Sequence, residues 1–386
     1  MGAPDALLFR LHSSQTCLRT PNVEAEQNVT RKRQVSPTDD DLWPGQVKNT
    51  RTESEGMMSK KALIWLNVLT LLAACGVANG QQTDPLGSWN DGPTKSAVLQ
   101  FVQDVTKDGG PKFVPPEQRI ATFDNDGTLW CEQPVAQFEF AIHRIKAMAA
   151  DHPEWKEQEP YKSVLAGDVQ RLVDDLTNGG HEFLKVIETS HAGMSVEEFD
   201  RHVRDFFATA KHPKLKVAYT QLAYAPMVEL LAYLRANGFK TYICSGGGID
   251  FMRVISVETY GIIPENVIGT NGRNVFKQVD GQWQLFKTAD YLFFNDKATK
   301  PTGIDLHIGR KPIFAAGNVR TGGDIGMLTY CHSNALPSFQ LLVNHDDDKR
   351  EYAYAEKGNA SLKAARAQGW HVMNMKSDWK TIFAND

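Results

Sequence analysis

The stretch IATFDNDGTL, residues 120–129, decides how this chain folds. Its first four residues are typical of a short buried strand, and Asp124 follows them directly. Asp124 and Asp126 can both face one site if the backbone turns after the strand, and Gly127 permits such a turn. Calcium loops also contain Asp-x-Asp-Gly, but no glutamate stands at the twelfth loop position counted from either aspartate. Since ligands of open α/β sheets bind at the carboxyl ends of the strands, we expect a site here.

Strand and helix patterns alternate along the rest of the chain. Strands are predicted at 119–123, 239–244, 312–316 and 339–343, and a hairpin is predicted over 273–287. Helices are predicted at 95–107, from Pro226 to about 236, and at 249–260. This alternation indicates an α/β domain with a parallel sheet. Residues 131–215 have helical patterns and no good strand, so we expect a separate helical unit inserted after the first strand.

Three further polar motifs follow the first one. Ser245-Gly246-Gly247-Gly248 comes between a strand and a helix, where backbone N–H groups can bind an anion. Lys300 precedes Pro301, which suits a helix start, and its charge could neutralise a phosphate. The fourth motif, GNVRTGGD at 317–324, follows another strand and ends in a carboxylate. Alone, a glycine run is often a plain loop and a lysine is usually solvated; it is the order of the four that indicates a site.

In this order the four motifs resemble those of the haloacid dehalogenase superfamily. The resemblance covers about 95–385, and residues 120–134 and 351–354 are similar to exported bacterial members described as phosphoserine-phosphatase-like hydrolases. It implies an α/β fold with a Rossmann-like, doubly wound parallel sheet. The catalytic core would comprise 96–130 and 216–386, and a helical cap would comprise 131–215.

The resemblance also implies a phosphatase that forms an aspartyl-phosphate intermediate and acts on a small phosphorylated metabolite, for which a phosphoserine-like compound is one candidate. Asp124 would attack phosphorus, and Asp126 would act as the general acid and base. Ser245, Gly246 and Lys300 would bind the transferring phosphoryl group.

A magnesium ion is implied as the cofactor. Its ligands would be the Asp124 carboxylate, the Asp126 backbone carbonyl and a side chain of the fourth motif, either Asn318 or Asp324. The family pattern has an acidic residue directly after the glycine and another about four residues later, whereas here Asn318 comes first and Asp324 six later. The ligand set therefore stays open. Glu132 could read a substrate amine, as in phosphoserine phosphatases, or could be a loop residue.

Two other functions stay open. One is phosphoryl transfer to another acceptor or phosphonate cleavage, although phosphonate-cleaving relatives usually lack the second aspartate that Asp126 supplies here. The other is a catalytically weak member that only binds a phosphorylated ligand, which Asn318 supports. The joint presence of Asp124, Ser245 and Lys300 favours catalysis.

The N-terminal region has its own pattern. Residues 1–57 are polar and aperiodic, so we expect disorder there. Because signal peptides stand at the N-terminus, the stretch that follows predicts a true start at Met57 or Met58; a genuine extension before a membrane anchor is the alternative. Residues 58–80 combine a basic start, a short apolar run and small residues, which predicts a secretory signal peptide. The apolar run is shorter than the roughly 20 residues of a membrane span. Residues 81–95 read as a polar linker.

Leu72-Ala73-Ala74-Cys75 also resembles a bacterial lipoprotein box, so a lipid anchor at Cys75 and ordinary cleavage after Ala78 or Gly80 are both open. In either case we expect an exported protein of a bacterium, periplasmic or lipid-anchored, without a membrane span in its mature form.

Composition excludes some classes. The net charge of −4 gives no electrostatic case for a nucleic-acid partner. The resemblance implies a small phosphorylated molecule as the partner. Cys131, Cys244 and Cys331 would remain in the mature domain, without metal-site spacing, and are predicted to be free buried thiols.

Overall fold

The computed structural model describes residues 84–177 and 180–384. The predicted extension at 1–57, the signal peptide at 58–80 and the lipidation site at Cys75 lie outside these residues. None of the helices in the described ranges is both long enough and apolar enough to cross a membrane.

Seven strands of the described residues form one sheet. They are β1 Ile120–Phe123, β2 Lys240–Gly248, β3 Val267–Val279, β4 Gln282–Phe293, β5 Phe314–Asn318, β6 Phe339–Asn344 and β7 His371–Asn374. Their order is β4-β3-β2-β1-β5-β6-β7, and all pairs are parallel except the antiparallel β3–β4 hairpin. The α/β fold with a mostly parallel sheet is therefore confirmed.

Helices connect and flank these strands. In chain order they are α1 Pro93–Thr106, α2 Ala136–Met148, α3 Tyr161–Ala166, α4 Val169–Thr177, α5 His181–His191, α6 Val196–Thr209, α7 Ala225–Ala236, α8 Ile249–Tyr260, α9 Lys300–Ile308, α10 Ile325–His332, α11 Ala360–Gln368 and α12 Met375–Asp378. Single 3₁₀ turns lie at Pro116–Gln118, Pro153–Lys156, Tyr219–Leu222, Pro264–Asn266 and Lys297–Thr299.

Apolar clusters cover both faces of the sheet. Neighbouring residues of a strand point to opposite faces, and in β5 Phe314 and Ala316 join one buried cluster while Ala315 joins another. Leu230 of α7 packs in the first cluster and Leu328 of α10 in the second. Burial on both faces is the usual state of parallel sheets, and it explains why the strands read as continuous apolar runs.

The segment 131–215 contains α2 to α6 and a third apolar cluster, to which Phe138, Ile142 and Val186 contribute. It also contacts the β3–β4 hairpin: Gly193 N–H donates to the Lys287 carbonyl, and Lys287 N–H donates to the Met194 carbonyl, both at 2.9 Å. The helices of the segment and the hairpin thus lie together on one side of the site.

Most predicted elements are present, with three differences. The described part of the predicted polar linker at 81–95 packs against the core through the buried Leu86 and Trp89, and α1 begins within it at Pro93. The hairpin turns at Asp280-Gly281 as expected, but its strands run from Val267 to Phe293 rather than over 273–287. The edge strand His371–Asn374 was missed because four residues with a polar residue at each end give too short an alternation to detect.

Candidate functional site

Three adjacent strands bring the motifs together. Phe123 is in register with Ile243 of β2 on one side and with Ala316 of β5 on the other, so the residues after all three strands meet at one edge. Asp124 N–H donates to the Ala316 carbonyl at 2.9 Å, which fixes the start of the first motif. We call the resulting surface the polar floor; it consists of Asp124, Asp126, Ser245, Lys300, Asn318 and Asp324.

The turn after β1 requires a glycine. Gly127 has φ of +75°, and its N–H donates to the Trp130 carbonyl at 2.9 Å. A Cβ atom at this position would lie 2.6 Å from the Tyr354 hydroxyl and 2.9 Å from Glu132 Oε2. The turn also places Trp130 Nε1 to donate to Asp126 Oδ1 at 2.8 Å, which orients that carboxyl group.

Lys300 is the central cation of the polar floor. It is 2% exposed, and its Nζ donates to Asp124 Oδ1 at 2.7 Å and to Asp324 Oδ1 at 2.5 Å. Burial alone would lower the pKa of Lys300, but the two carboxylates outweigh it and raise the pKa above its ordinary value. The lysine is therefore charged at neutral pH and is not the solvated surface residue that a lone lysine usually is.

The two aspartates of the first motif titrate high. Burial raises the pKa of Asp124 well above its ordinary range, and Asp324 adds to this effect while Lys300 opposes it. Burial also raises the pKa of Asp126, against the hydrogen bond from Trp130. For Asp126, a raised pKa suits a carboxyl group that gives a proton away.

Asn318 stands where the family pattern has an acidic residue, and its contacts test whether Mg²⁺ fits. Its Nδ2 amide lies 2.8 Å from the Asp126 carbonyl oxygen, 3.2 Å from Asp124 Oδ2 and 3.4 Å from Asp324 Oδ2. Three hard oxygens thus converge on one point, and such oxygens are the ligands that Mg²⁺ prefers. The donor set therefore fits this cation.

The amide of Asn318 distinguishes this candidate set of Mg²⁺ ligands from the family pattern, which has a carboxylate at the same place. In the described part of the chain no three His, Cys, Asp or Glu side chains form a metal-binding group. A cation here would therefore depend on the Asp126 carbonyl and the Asn318 amide as well. Asn318 Oδ1 now accepts the Arg320 N–H at 2.8 Å, so its use as a ligand competes with that hydrogen bond.

Asp324 is held from two sides. Besides the ion pair with Lys300, its Oδ2 accepts the Asn318 N–H at 2.8 Å. A Cβ at Gly317 would lie 2.4 Å from the Asp324 Cβ, so a glycine is needed for this approach. The six-residue spacing between Asn318 and Asp324 thus still brings both side chains to the polar floor.

The glycine run at the end of β2 contributes Ser245, which is buried, but two of its N–H groups bond to side chains of the protein. Gly247 N–H donates to Ser245 Oγ at 3.1 Å, and Gly248 N–H donates to Gln137 Oε1 at 2.7 Å. Sequence reasoning missed Gln137, because nothing in the pattern of α2 sets this residue apart from other polar helix positions. Gly246 lies beside Ser245 in the cavity lining, and its role in binding phosphate stays a prediction.

Glu132 lies at the site but is already paired. Its Oε1 is 2.7 Å from Arg320 Nη1, and its side chain is only 10% exposed. Burial raises the pKa of Glu132 to about 7, although Arg320 lowers it. A role in reading a substrate amine stays a prediction, and it would compete with this ion pair. The arginine belongs to the fourth motif, where sequence reasoning gave it no role.

A cavity of about 400 Å³ opens above the polar floor. Its opposite side is formed by apolar side chains that we call the apolar wall: Phe138, Phe183, Leu184, Ile187 and Phe199. A second ion pair, Lys287 with Asp250, also lines the cavity. This pair joins the hairpin to α8 and has no local sequence signal.

The three cysteines of the described residues are free and buried, as predicted. Cys131 Sγ donates to Glu351 Oε1 at 2.9 Å, and burial raises the pKa of the Cys131 thiol. A thiol with a raised pKa is a poor nucleophile, so Cys131 is a packed residue next to the first motif.

Comparison with known proteins agrees with this site. The family model of haloacid dehalogenase-like hydrolases matches residues 121–300, which contain the first three motifs. No curated protein matches the chain.

Several solved structures are similar at low identity. A functionally unknown protein from Anaerococcus prevotii has 13% identity and a TM-score of 0.49, covering 77% of this chain and 97% of its own. A protein of unknown function from Bordetella pertussis has 14% identity and a TM-score of 0.43, covering 66% and 98%. A probable phosphoserine phosphatase from Vibrio cholerae has 15% identity and a TM-score of 0.35, covering 72% and 75%. The family match and the order of the motifs identify residues 121–300 as a haloacid dehalogenase-like hydrolase domain.

Proposed function

We propose that the chain is a phosphatase that hydrolyses small phosphomonoesters through an aspartyl-phosphate on Asp124. The observation that carries this proposal is the buried contact of Asp124 with Lys300, on the polar floor of a cavity that also presents Ser245. A buried carboxylate beside a buried ammonium supplies both a nucleophile and a positive charge for an anionic substrate.

In the first step an Asp124 oxygen attacks phosphorus, and the bond between phosphorus and the ester oxygen breaks. Lys300 and the Ser245 hydroxyl offset the negative charge of the phosphoryl oxygens. Asp126, whose pKa is raised by burial, gives its proton to the departing alcohol oxygen. The alcohol leaves, and the phosphoryl group stays on Asp124.

In the second step water attacks the phosphorus of the aspartyl-phosphate. Asp126, now a carboxylate, takes the proton from this water, and the bond between phosphorus and Asp124 breaks. Inorganic phosphate leaves, Asp124 is again a carboxylate, and Asp126 is again protonated. The hydrogen bond from Trp130 keeps Asp126 in place through both steps.

Mg²⁺ is part of the proposal. Asp124, the Asp126 carbonyl, Asn318 and Asp324 would hold it, and when bound it would neutralise charge between the nucleophile and the substrate phosphate. The convergence of three oxygens on the Asn318 amide supports this position.

The proposal is tested by phosphate release from the purified full chain on a panel of phosphomonoesters, with Mg²⁺ or with chelator. The panel comprises phosphoserine, phosphocholine, a nucleoside monophosphate and glycerol phosphate. We expect release with Mg²⁺, its loss with chelator, and a fall of about 10⁴-fold or more in Asp124→Asn. Release that is unaffected by Asp124→Asn would contradict the proposal.

Asn318 favours one second candidate, a protein that binds a phosphorylated ligand without turning it over. A neutral amide in place of a carboxylate weakens a cation site and thereby the chemistry. Ligand-induced stabilisation with no phosphate release from any ester would support this function over hydrolysis.

Export is also proposed, from residues 58–80 alone. N-terminal sequencing and mass measurement of the natural protein test it. A mature chain beginning at lipidated Cys75, or near residue 81, would support export, and an intact N-terminus in the cytoplasmic fraction would contradict it.

A further inference from the structure

The side of the cavity away from the polar floor differs from it in chemistry. We propose that the alcohol half of the substrate is uncharged and apolar, so that the enzyme prefers esters such as benzyl or hexyl phosphate over phosphoserine. This inference rests on the proposed phosphatase function, and it names the substrate class of the same site.

The apolar wall is built to be rigid. Phe138 is 5% exposed and pairs with Phe183 at 4.7 Å between ring centroids, while Ile187 and Phe199 are also buried. Phe183 and Leu184 are only partly buried, so they keep surface that faces the cavity. Aromatic side chains of this kind gain free energy by covering apolar groups of a ligand.

The charged residues beyond the polar floor are already paired. Lys287 forms an ion pair with Asp250, and their side chains are 6% and 14% exposed. Glu132 is paired with Arg320. Opposite charges at these distances offset each other, so a charged substrate group would have to compete with an existing partner to bind a member of either pair.

Three further titratable residues line the cavity. Burial raises the pKa of Tyr291 to about 12, so its hydroxyl is neutral at pH 7. Burial lowers the pKa of His191 to about 4, and Lys287 adds to this shift, so the imidazole is neutral at pH 7. Asp296 is exposed at the rim, and its Oδ1 accepts the Lys297 N–H at 2.9 Å. An exposed carboxylate contributes little to the binding of a cation.

These features select against an amino-acid phosphate. Phosphoserine would bring an ammonium and a carboxylate into the cavity, and both would lose water without gaining a free opposite charge beyond the polar floor. A benzyl or hexyl group has no such desolvation cost and gains from burial against the apolar wall. The difference lies in the alcohol half, because the phosphate contacts are common to all these esters.

Binding to the inactive Asp124→Asn variant tests the inference without turnover. Isothermal titration with benzyl phosphate, hexyl phosphate and phosphoserine should give dissociation constants at least about tenfold lower for the two apolar esters. Comparing the benzyl ring with the hexyl chain distinguishes a preference for aromatic groups from a preference for apolar groups in general. Equal or tighter binding of phosphoserine would overturn the inference.

Turnover of the same esters by the wild-type enzyme distinguishes failure of the phosphatase proposal from failure of the proposed substrate class. Benzyl and hexyl alcohols leave about as readily as serine does, so kcat/KM compares fit rather than leaving-group chemistry. Higher kcat/KM for the apolar esters supports both proposals, and higher kcat/KM for phosphoserine overturns only the substrate class. If wild type releases no phosphate from any ester, the phosphatase proposal fails, and the titration decides the cavity inference alone.

Variants of the wall localise the effect. Phe183→Ala should weaken benzyl phosphate binding about tenfold and thereby narrow its preference over phosphoserine. Phe294→Ala is a second variant that keeps the test valid if Phe183→Ala folds poorly, since Phe294 lines the cavity but is 47% exposed. Phe276→Ala, an exposed aromatic of β3 outside the cavity, is the matched control and should change binding less than twofold. An unchanged preference in both wall variants would overturn the inference.

Discussion

The polar floor and the apolar wall face each other across one cavity but are held in different ways. The floor residues Asp124, Ser245 and Asn318 lie at the ends of three neighbouring parallel strands, so their relative positions follow from the strand register. The wall lies on helices α2, α5 and α6, which are held by side-chain packing and by contacts with the hairpin.

Because of this difference, we expect the polar floor and the apolar wall to have separate roles in the site. Charges on the floor are buried beside each other, so removing the cation of Lys300 leaves two carboxylates without their partner. The wall contains uncharged side chains, so a change there alters shape and apolar contact only. We therefore expect floor substitutions to affect stability and chemistry together, and wall substitutions to affect the choice of substrate.

The largest effect should come from Lys300→Met. This change leaves Asp124 and Asp324 buried without their shared cation, and removing one partner of a buried ion pair costs about 3–5 kcal/mol. Urea denaturation at pH 7 should show a loss of that size, and phosphate release should fall about 10³-fold. Lys297→Met, an exposed lysine three residues earlier, is the control. If the Lys300→Met protein were as stable as wild type, the expectation that substitutions of the polar floor lower stability would be wrong.

The second effect concerns the rim of the floor and depends on pH. The pKa of Glu132 is about 7 in the folded chain and 4.5 ordinarily, so the folded chain holds this proton more tightly. Its contribution to the free energy of unfolding is therefore fully present below pH 4.5 and is lost as the pH rises to about 7 and above. Between pH 5 and pH 8 this loss is about 2 kcal/mol.

Glu132→Gln should remove this part of the pH dependence. Urea denaturation at pH 5 and pH 8 measures it, and Glu117→Gln, at an exposed position, is the control. If Glu132→Gln and wild type lose equal stability between the two pH values, the burial of Glu132 does not govern its titration.

The third effect sharpens the role of Asn318. Asn318→Asp removes the N–H donor that now meets Asp124 and Asp324 and adds a third carboxylate, so the metal-free protein should melt lower. Mg²⁺ should bind at least about tenfold more tightly, because carboxylates are better ligands than amides. Calorimetric Mg²⁺ titration measures this, with Gln278→Glu on the exposed hairpin as the charge control. Unchanged affinity would mean that position 318 does not contact the cation.

The smallest effect is expected at Cys131. Its thiol has a raised pKa and donates to Glu351, so it supports the first motif by packing and takes no part in chemistry. Cys131→Ser keeps a donor of similar size and should lower stability by about 1 kcal/mol or less and activity by less than about threefold. Loss of all phosphatase activity in this variant would contradict this prediction and would indicate that Cys131 takes part in the chemistry.

Much of the fold could be predicted from local patterns. The short apolar runs before Asp124 and Ser245 identified β1 and β2, and the hairpin turn was visible at Asp280-Gly281. The length of the hairpin and the edge strand β7 were not predicted, because pairing with neighbouring strands extends or creates strands whose own sequence is weakly patterned.

The sequence by itself determined the residues of the polar floor and their order, because Asp124, Ser245 and Asn318 come at the ends of strands and parallel strands end at the same edge. Only the tertiary structure decided how these residues and their neighbours pair. Lys300 lies between Asp124 and Asp324, Glu132 meets Arg320, and Lys287 meets Asp250. Their partners are 24 to 188 positions apart in the chain, and no local periodicity encodes such contacts. Burial, which sets the pKa values and the substrate preference, exists only once the chain has packed.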